Sequence, residues 1–286
     1  MNLCDYHEIQ ALLTRHGFRF SKAKGQNFLV RDWVPRRIAE EAGIDGGFGV
    51  LEVGPGVGPL TAALCERAGK VLAVEVDQSL RPVLAETLAG FNNARVLFDD
   101  VRKLDLAALL RTEFPGLRAA ACANLPYYIT TPVLTKLLES QCFESVTVMV
   151  QKEVAQRICA APGEKEYGAF TVFCGWYARP KPLFDVPPDC FLPRPKVTST
   201  VLRLAAREEP PCPVDDVGLF FRVVRASFAQ RRKTLLNGLS AGFATLSKEQ
   251  IAGALEGCGL SPAVRGETLG IPQFAAVADA LGRLLM

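Results

Sequence analysis

Histidine is scarce in this chain, with 2 in 286 residues, and the 9 cysteines, scattered from Cys4 to Cys258, include no C-x-x-C pair. That argues against a zinc site and a disulfide framework; no metal is expected, and the thiols read as small buried hydrophobes. No apolar run nears the roughly 18 residues of a membrane-spanning helix, and Asp5, His7 and Glu8 break any early secretory core. A soluble, cytoplasmic protein without a membrane partner is expected. Acid is missing from two stretches. Between Ile9 and Arg31 the charges are Arg15, Arg19, Lys22, Lys24 and Arg31, and between Val217 and Lys248 they are Arg222, Arg225, Arg231, Arg232, Lys233 and Lys248. Two acid-free basic segments point to a polyanionic partner.

What is present reads as a globular protein, 49% hydrophobic and 22% charged, long enough for one large domain and an appendage. After a first helix ending at Gly17, the apolar runs "VLEV" (50–53), "VLAVEV" (71–76), "ARVLF" (94–98), "AAACAN" (119–124) and "SVTVMV" (145–150) read as buried strands. Helical patterns begin between them near Leu60, Ser79, Leu104 and Thr131, and strict alternation predicts an α/β, Rossmann-like doubly wound sheet. A helix over 168–178 precedes a late strand pair, "PLFDV" and "VTSTVLRL", joined by "PPDCFLPRP". Without a crossover helix, that end is expected to be antiparallel. The Pro-rich "AAREEPPCPVDD" (205–216) marks a boundary between a domain over 1–205 and a small all-helical one over 217–286. The latter has helices over 217–239, from the Ser247 to Gln250 capping box to Gly257, and over 272–285.

"LEVGPGVGPLT" follows the first strand and opens a helix, where an α/β sheet binds nucleotide-like ligands. Gly54, Gly56 and Gly58 let the backbone approach a ligand, with Gly54 or Gly56 suited to positive φ. The spacing G-x-G-x-G is not the dinucleotide G-x-G-x-x-G. Glu75, at the end of the second strand, is placed to accept both hydroxyls of an unphosphorylated ribose. Asp100, after the third strand, is placed to accept from an adenine amino group or to cap a helix. NAD and S-adenosylmethionine fit equally.

"NLPYY" (124–128) discriminates. Asn124 ends the fourth strand and faces the same crevice. Methyl transfer to an aromatic amine must overcome delocalisation of the nitrogen lone pair into the ring. Two acceptors, the Asn124 side-chain oxygen and the backbone carbonyl of Pro126 or its neighbour, draw the nitrogen toward tetrahedral geometry. Proline fixes φ and aims that carbonyl. Tyr127 offers a face to the target base and to developing positive charge, and Tyr128 is expected to pack.

The blocks "KGQNFL" (24–29), "EVGPGVGPLT", "VEVD", "NLPYYITTP", "QKEVAQRI", "YGAFTV", "VPPDCFLPRPKVTS" and "RASFAQRRKTL" (225–235), in this order, resemble the KsgA type of small-subunit ribosomal RNA adenine dimethyltransferase. The resemblance spans about 20 to 240. It implies a class I methyltransferase domain using S-adenosylmethionine, with Asn27 and Leu29 joining Gly54, Gly56, Glu75, Asp100 and Asn124 at the cofactor. It implies that Phe191 packs against the target adenine opposite Tyr127. It also implies that two methyls go to N-6 of each of two adjacent adenosines near the 3′ end of 16S rRNA, in an immature small subunit. RNA is expected on Lys22 and Lys24, and on Arg222, Arg225, Arg231, Arg232 and Lys233, and the protein is expected to be a monomer. Arg31 and Ala123 depart from the residues frequent in that family, an acid and a glycine. Rival readings are the large-subunit methyltransferase of macrolide resistance, an NAD-dependent dehydrogenase and a non-catalytic assembly factor. The dehydrogenase has no use for "NLPY", and His7 and His16 lie outside its sheet.

Overall fold

The computed structural model describes residues 1–18, 26–230 and 232–286. Its elements begin with α1 (Tyr6–Arg15), β1 (Phe28–Leu29), α2 (Trp33–Glu41), β2 (Phe48–Val53), α3 (Pro59–Cys65) and β3 (Lys70–Glu75). They continue with α4 (Arg81–Thr87), β4 (Ala94–Phe98), α5 (Leu106–Glu113), β5 (Arg118–Asn124), α6 (Thr130–Glu139), β6 (Ser145–Gln151) and α7 (Lys152–Cys159). Then come α8 (Ala169–Tyr177), β7 (Ala178–Val186), β8 (Phe191–Leu192), β9 (Ser199–Ala206), α9 (Val217–Ala229), α10 (Leu235–Gly242), α11 (Lys248–Gly257) and α12 (Ile271–Leu285).

Seven strands form one sheet in the order β4-β3-β2-β5-β6-β9-β7. The β2–β3, β3–β4, β2–β5 and β5–β6 pairs are parallel, and β9 runs antiparallel to β6. Every residue of β2 is buried, as expected of a parallel strand covered on both faces. The chain leaves β2 toward β3 on one side and reaches β5 on the other, so the strand order reverses between β2 and β5. Gly54 and Asn124 therefore emerge side by side at the carboxyl ends, with Val53 and Ala123 in register.

Contacts divide the chain into two compact units, Met1–Ala155 with Pro180–Ala206, and Gln156–Arg179 with Arg207–Met286. The second unit thus includes a segment, Gln156–Arg179, that the sequence reading leaves in the first domain. Its Tyr167, Val172 and Trp176 join the core of Phe220, Val224 and Leu239, and the Trp176 and Phe220 rings lie 4.4 Å apart. One helix expected over 217–239 is two. α9 stops before Gln230, and Thr234 caps α10 by accepting from the Asn237 N–H at 3.4 Å. The Ser247–Gln250 capping box opens α11 as expected. All nine cysteines are free, five buried and four half-buried. Among the described residues no helix is long and apolar enough to cross a membrane.

Candidate active site

A cleft of about 1070 Å³, its open mouth included, lies in the first unit over the ends of β2, β3 and β5. The glycine loop, Glu75, Asp100, Asn124, Tyr127 and the segment Gln26–Leu29 line it together.

The loop from β2 to α3 carries three left-handed residues, Gly54, Gly56 and Gly58, with φ of 73°, 60° and 95°. A side chain would be strained at each. At Gly56 a Cβ would also stand 3.0 Å from the Phe28 ring, so the bare backbone is what leaves a cradle between loop and ring. Pro59 then occupies the first turn of α3, where no backbone donor is required.

Glu75 closes β3 with its side chain buried at the cleft. Burial pushes its carboxyl up, and backbone N–H groups oppose this, among them that of Asp77, which donates to Oε1 at 2.8 Å. Gln26 donates to Asp77 Oδ2 at 2.8 Å and thereby pins the 26–29 segment to the end of β3. Asp100 does cap a turn, accepting from the Arg102 N–H at 3.0 Å, and it grips the Arg102 guanidinium at 2.9 and 2.7 Å. That ion pair holds its carboxyl below the usual range while the side chain still lines the cleft.

The Asn124 amide donates through Nδ2 to the Asn27 carbonyl at 3.1 Å. With the nitrogen end taken, the oxygen is the end available to a ligand as an acceptor. The Pro126 carbonyl is engaged within the chain. It already accepts from the Ile129 N–H at 3.1 Å and from the Thr130 hydroxyl at 3.4 Å, closing the turn Tyr127–Ile129. Its neighbour Leu125 also lines the cleft, and the fixed φ of Pro126, −56°, aims the chain there. Tyr127 is half-buried, its hydroxyl 3.0 Å from Ser199 Oγ, and burial raises its pKa.

Two expectations change. Tyr128 does not pack: it is 59% exposed at the cleft. Phe191 is 4% exposed and is not among the residues lining the cleft; its ring joins the core with Leu29 and Cys190. The cause is a short antiparallel ribbon, Phe28 facing Leu192 and Leu29 facing Phe191, which turns Phe191 inward to support the wall instead of presenting it to a base. Arg222 is exposed, and its guanidinium donates to the Gly242 carbonyl at 2.8 Å and lies 4.2 Å above the Phe243 ring. Arg225, Arg232 and Lys233 are exposed, whereas Lys22, Lys24 and Arg231 lie outside the described residues.

Sequence reasoning passed over Glu52, which sits in β2 opposite Ala73 and Cys122 and is 1% exposed. Its Oε2 has no hydrogen-bond partner among the described residues. Burial, reinforced by the charge of Glu75, pushes this carboxyl up to about 8.

A mostly parallel sheet with a glycine loop, a ribose-range acid and an amide at the switch point defines a class I methyltransferase. The family model of the ribosomal RNA adenine dimethylases matches residues 17–260, so the chain belongs to that family. It is 46% identical over 274 residues to the ribosomal RNA small subunit methyltransferase A of Geobacillus thermodenitrificans, covering 94% of each chain. The corresponding protein of Shouchella clausii is 47% identical over 274 residues, covering 95% of this chain and 93% of that one. Among solved structures, the 23S rRNA methyltransferase ErmE superposes with a TM-score of 0.69 at 26% identity, over 89% of this chain and 99% of that one. A dimethyladenosine transferase from Plasmodium falciparum, 24% identical over 87% of this chain and 95% of that one, shares the fold with a TM-score of 0.72.

Glu52 makes stability depend on pH in a stated direction. Its folded pKa lies above the ordinary 4.5, so between those values the folded state holds a proton that the unfolded state releases. Stability is therefore intact below about 4.5 and falls as pH rises toward 8. The total is on the order of 3–5 kcal/mol. Urea titrations of wild type and Glu52→Gln across this range are expected to show the decline flattened in the variant; parallel pH profiles would refute it.

Proposed function

We propose that this protein dimethylates N-6 of each of two adjacent adenosines near the 3′ end of 16S rRNA, acting as a monomer on an immature small subunit. The observation that carries the reading is the Asn124 amide, turned by the Asn27 carbonyl so that an acceptor faces the cleft that also holds Glu75. The residues present suit S-adenosylmethionine: the glycine cradle that a Cβ would fill, with Asn27 and Leu29 beside it, Glu75 for two ribose hydroxyls, and Asp100 for an adenine amino group. When bound, that cofactor supplies an electrophilic methyl on a sulfonium.

The chain's own groups prepare the nucleophile. Asn124 Oδ1 and the Leu125 carbonyl accept the two amino hydrogens of the target adenine, which localises the nitrogen lone pair and directs it at the methyl. Tyr127, its ring steadied by the Ser199 contact, offers a face to the base and to the positive charge that builds during transfer. The methylated nitrogen is then strongly acidic, and water takes its proton. A general base is not needed.

Identity of 45–47% to near full-length proteins named for the small subunit favours that substrate over large-subunit RNA. Label from S-adenosylmethionine, offered with unmethylated small subunits and with large-subunit RNA in parallel, is expected on two neighbouring adenosines of the small subunit. Label confined to large-subunit RNA would overturn the assignment. The second unit contributes RNA contacts through Arg225, Arg232 and Lys233. Replacing all three by alanine is expected to weaken RNA binding and flatten its log–log salt slope by about 2–3. Cofactor affinity should stand; unchanged RNA binding would remove this face from the interface.

A further inference from the structure

We propose that Tyr128 is a positioning residue that stacks on the nucleotide next to the target adenosine, an inference that rests on the function proposed above. Two consecutive tyrosines stand at this cleft, and their surroundings differ. Tyr127 is half-buried and tethered to Ser199, whereas Tyr128, one residue on in the same turn, leaves 59% of its surface in solvent. A large aromatic held open at a cleft forgoes the burial that stabilises such side chains elsewhere, unless a ligand covers it.

Its backbone is tied into the fold. The turn Tyr127–Ile129 is closed onto the Pro126 carbonyl and runs directly into α6. Arg102, held by both Asp100 oxygens, lines the same mouth. Drawing a base out of a stack bares the face of its neighbour, and an aromatic ring beside the pocket can cover it. A base held by Tyr127 and its chain neighbour held by Tyr128 match consecutive residues with consecutive nucleotides. Stacking reads any base, so this contact sets position and register, not sequence.

The test compares wild type with Tyr128→Ala, Tyr128→Phe and Tyr128→Trp on unmethylated small subunits, with binding of S-adenosylmethionine measured separately. Tyr128→Ala is expected to lower kcat/KM about tenfold to a hundredfold, the range that one lost base stack predicts. Both aromatic variants should stay within about threefold of wild type, and cofactor affinity should be unchanged in all of them. Wild-type kcat/KM in Tyr128→Ala overturns the proposal. So does a loss in Tyr128→Phe equal to that in Tyr128→Ala, which would assign the hydroxyl, or a matching loss of cofactor affinity, which would place the ring on the cofactor. If wild type itself leaves small subunits unmethylated, the proposed function falls first and this inference with it. If wild type methylates them and Tyr128→Ala keeps pace, only this inference falls.

Discussion

One hydrogen bond orients the chemistry: Asn124 Nδ2 donating to the Asn27 carbonyl at 3.1 Å. An amide presents a donor at one end and an acceptor at the other, and only the acceptor end can draw on the hydrogens of an amine. Asn27 makes that choice and is itself held in place. Gln26 is fastened to Asp77 at the end of β3, and Phe28 and Leu29 are paired with Leu192 and Phe191. The short segment before the first helix of the sheet thus joins three parts of the site: the β5 amide, the turn after β3 and the proline-rich loop. Phe191 belongs to this support, since it pairs with Leu29 across the ribbon and lies in the same buried core.

The acids illustrate how environment separates roles. Glu75 is buried yet receives backbone N–H groups, which favour its charged, accepting form against the cost of burial. Glu52, one strand away, has an oxygen with no partner among the described residues and is driven toward its neutral form. One carboxyl lines the cleft with backbone N–H groups turned toward it, and the other lies buried in β2 below the glycine loop. Nothing in the spelling "LEVG" distinguishes them, because the difference lies in which N–H groups fold back on each.

The sheet was legible because hydrophobic runs and helical periods alternate without exception from Val50 to Val150. The glycine loop, Glu75 and Asn124 were legible because each lies at or just past the carboxyl end of a strand, and strand ends at a switch point share one crevice. Other features depend on distant pairing. The Phe28–Leu29 ribbon has two residues per strand, too few for a pattern, and its partner lies more than 160 positions on. Residues Gln156–Arg179 read as part of the first domain because the Pro-rich stretch follows them; their aromatic side chains nevertheless find Phe220 and its neighbours. The two tyrosines were read with their burial exchanged in part: Tyr127 carries the tether, and Tyr128 is the exposed one. The choice between the Pro126 carbonyl and its neighbour's was left open, because a backbone carbonyl has no residue-type signature; the closure of the turn on Pro126 favours Leu125.

The most direct test of this account is the single-turnover rate of methyl transfer to small subunits by Asn124→Ala, with S-adenosylmethionine affinity measured on the same preparation. Loss of an acceptor that acts mainly in the transition state predicts a rate lower by about a hundredfold to a thousandfold. Affinity for the cofactor should fall far less. A variant that transfers methyl groups at the wild-type rate would contradict the central role given to this amide.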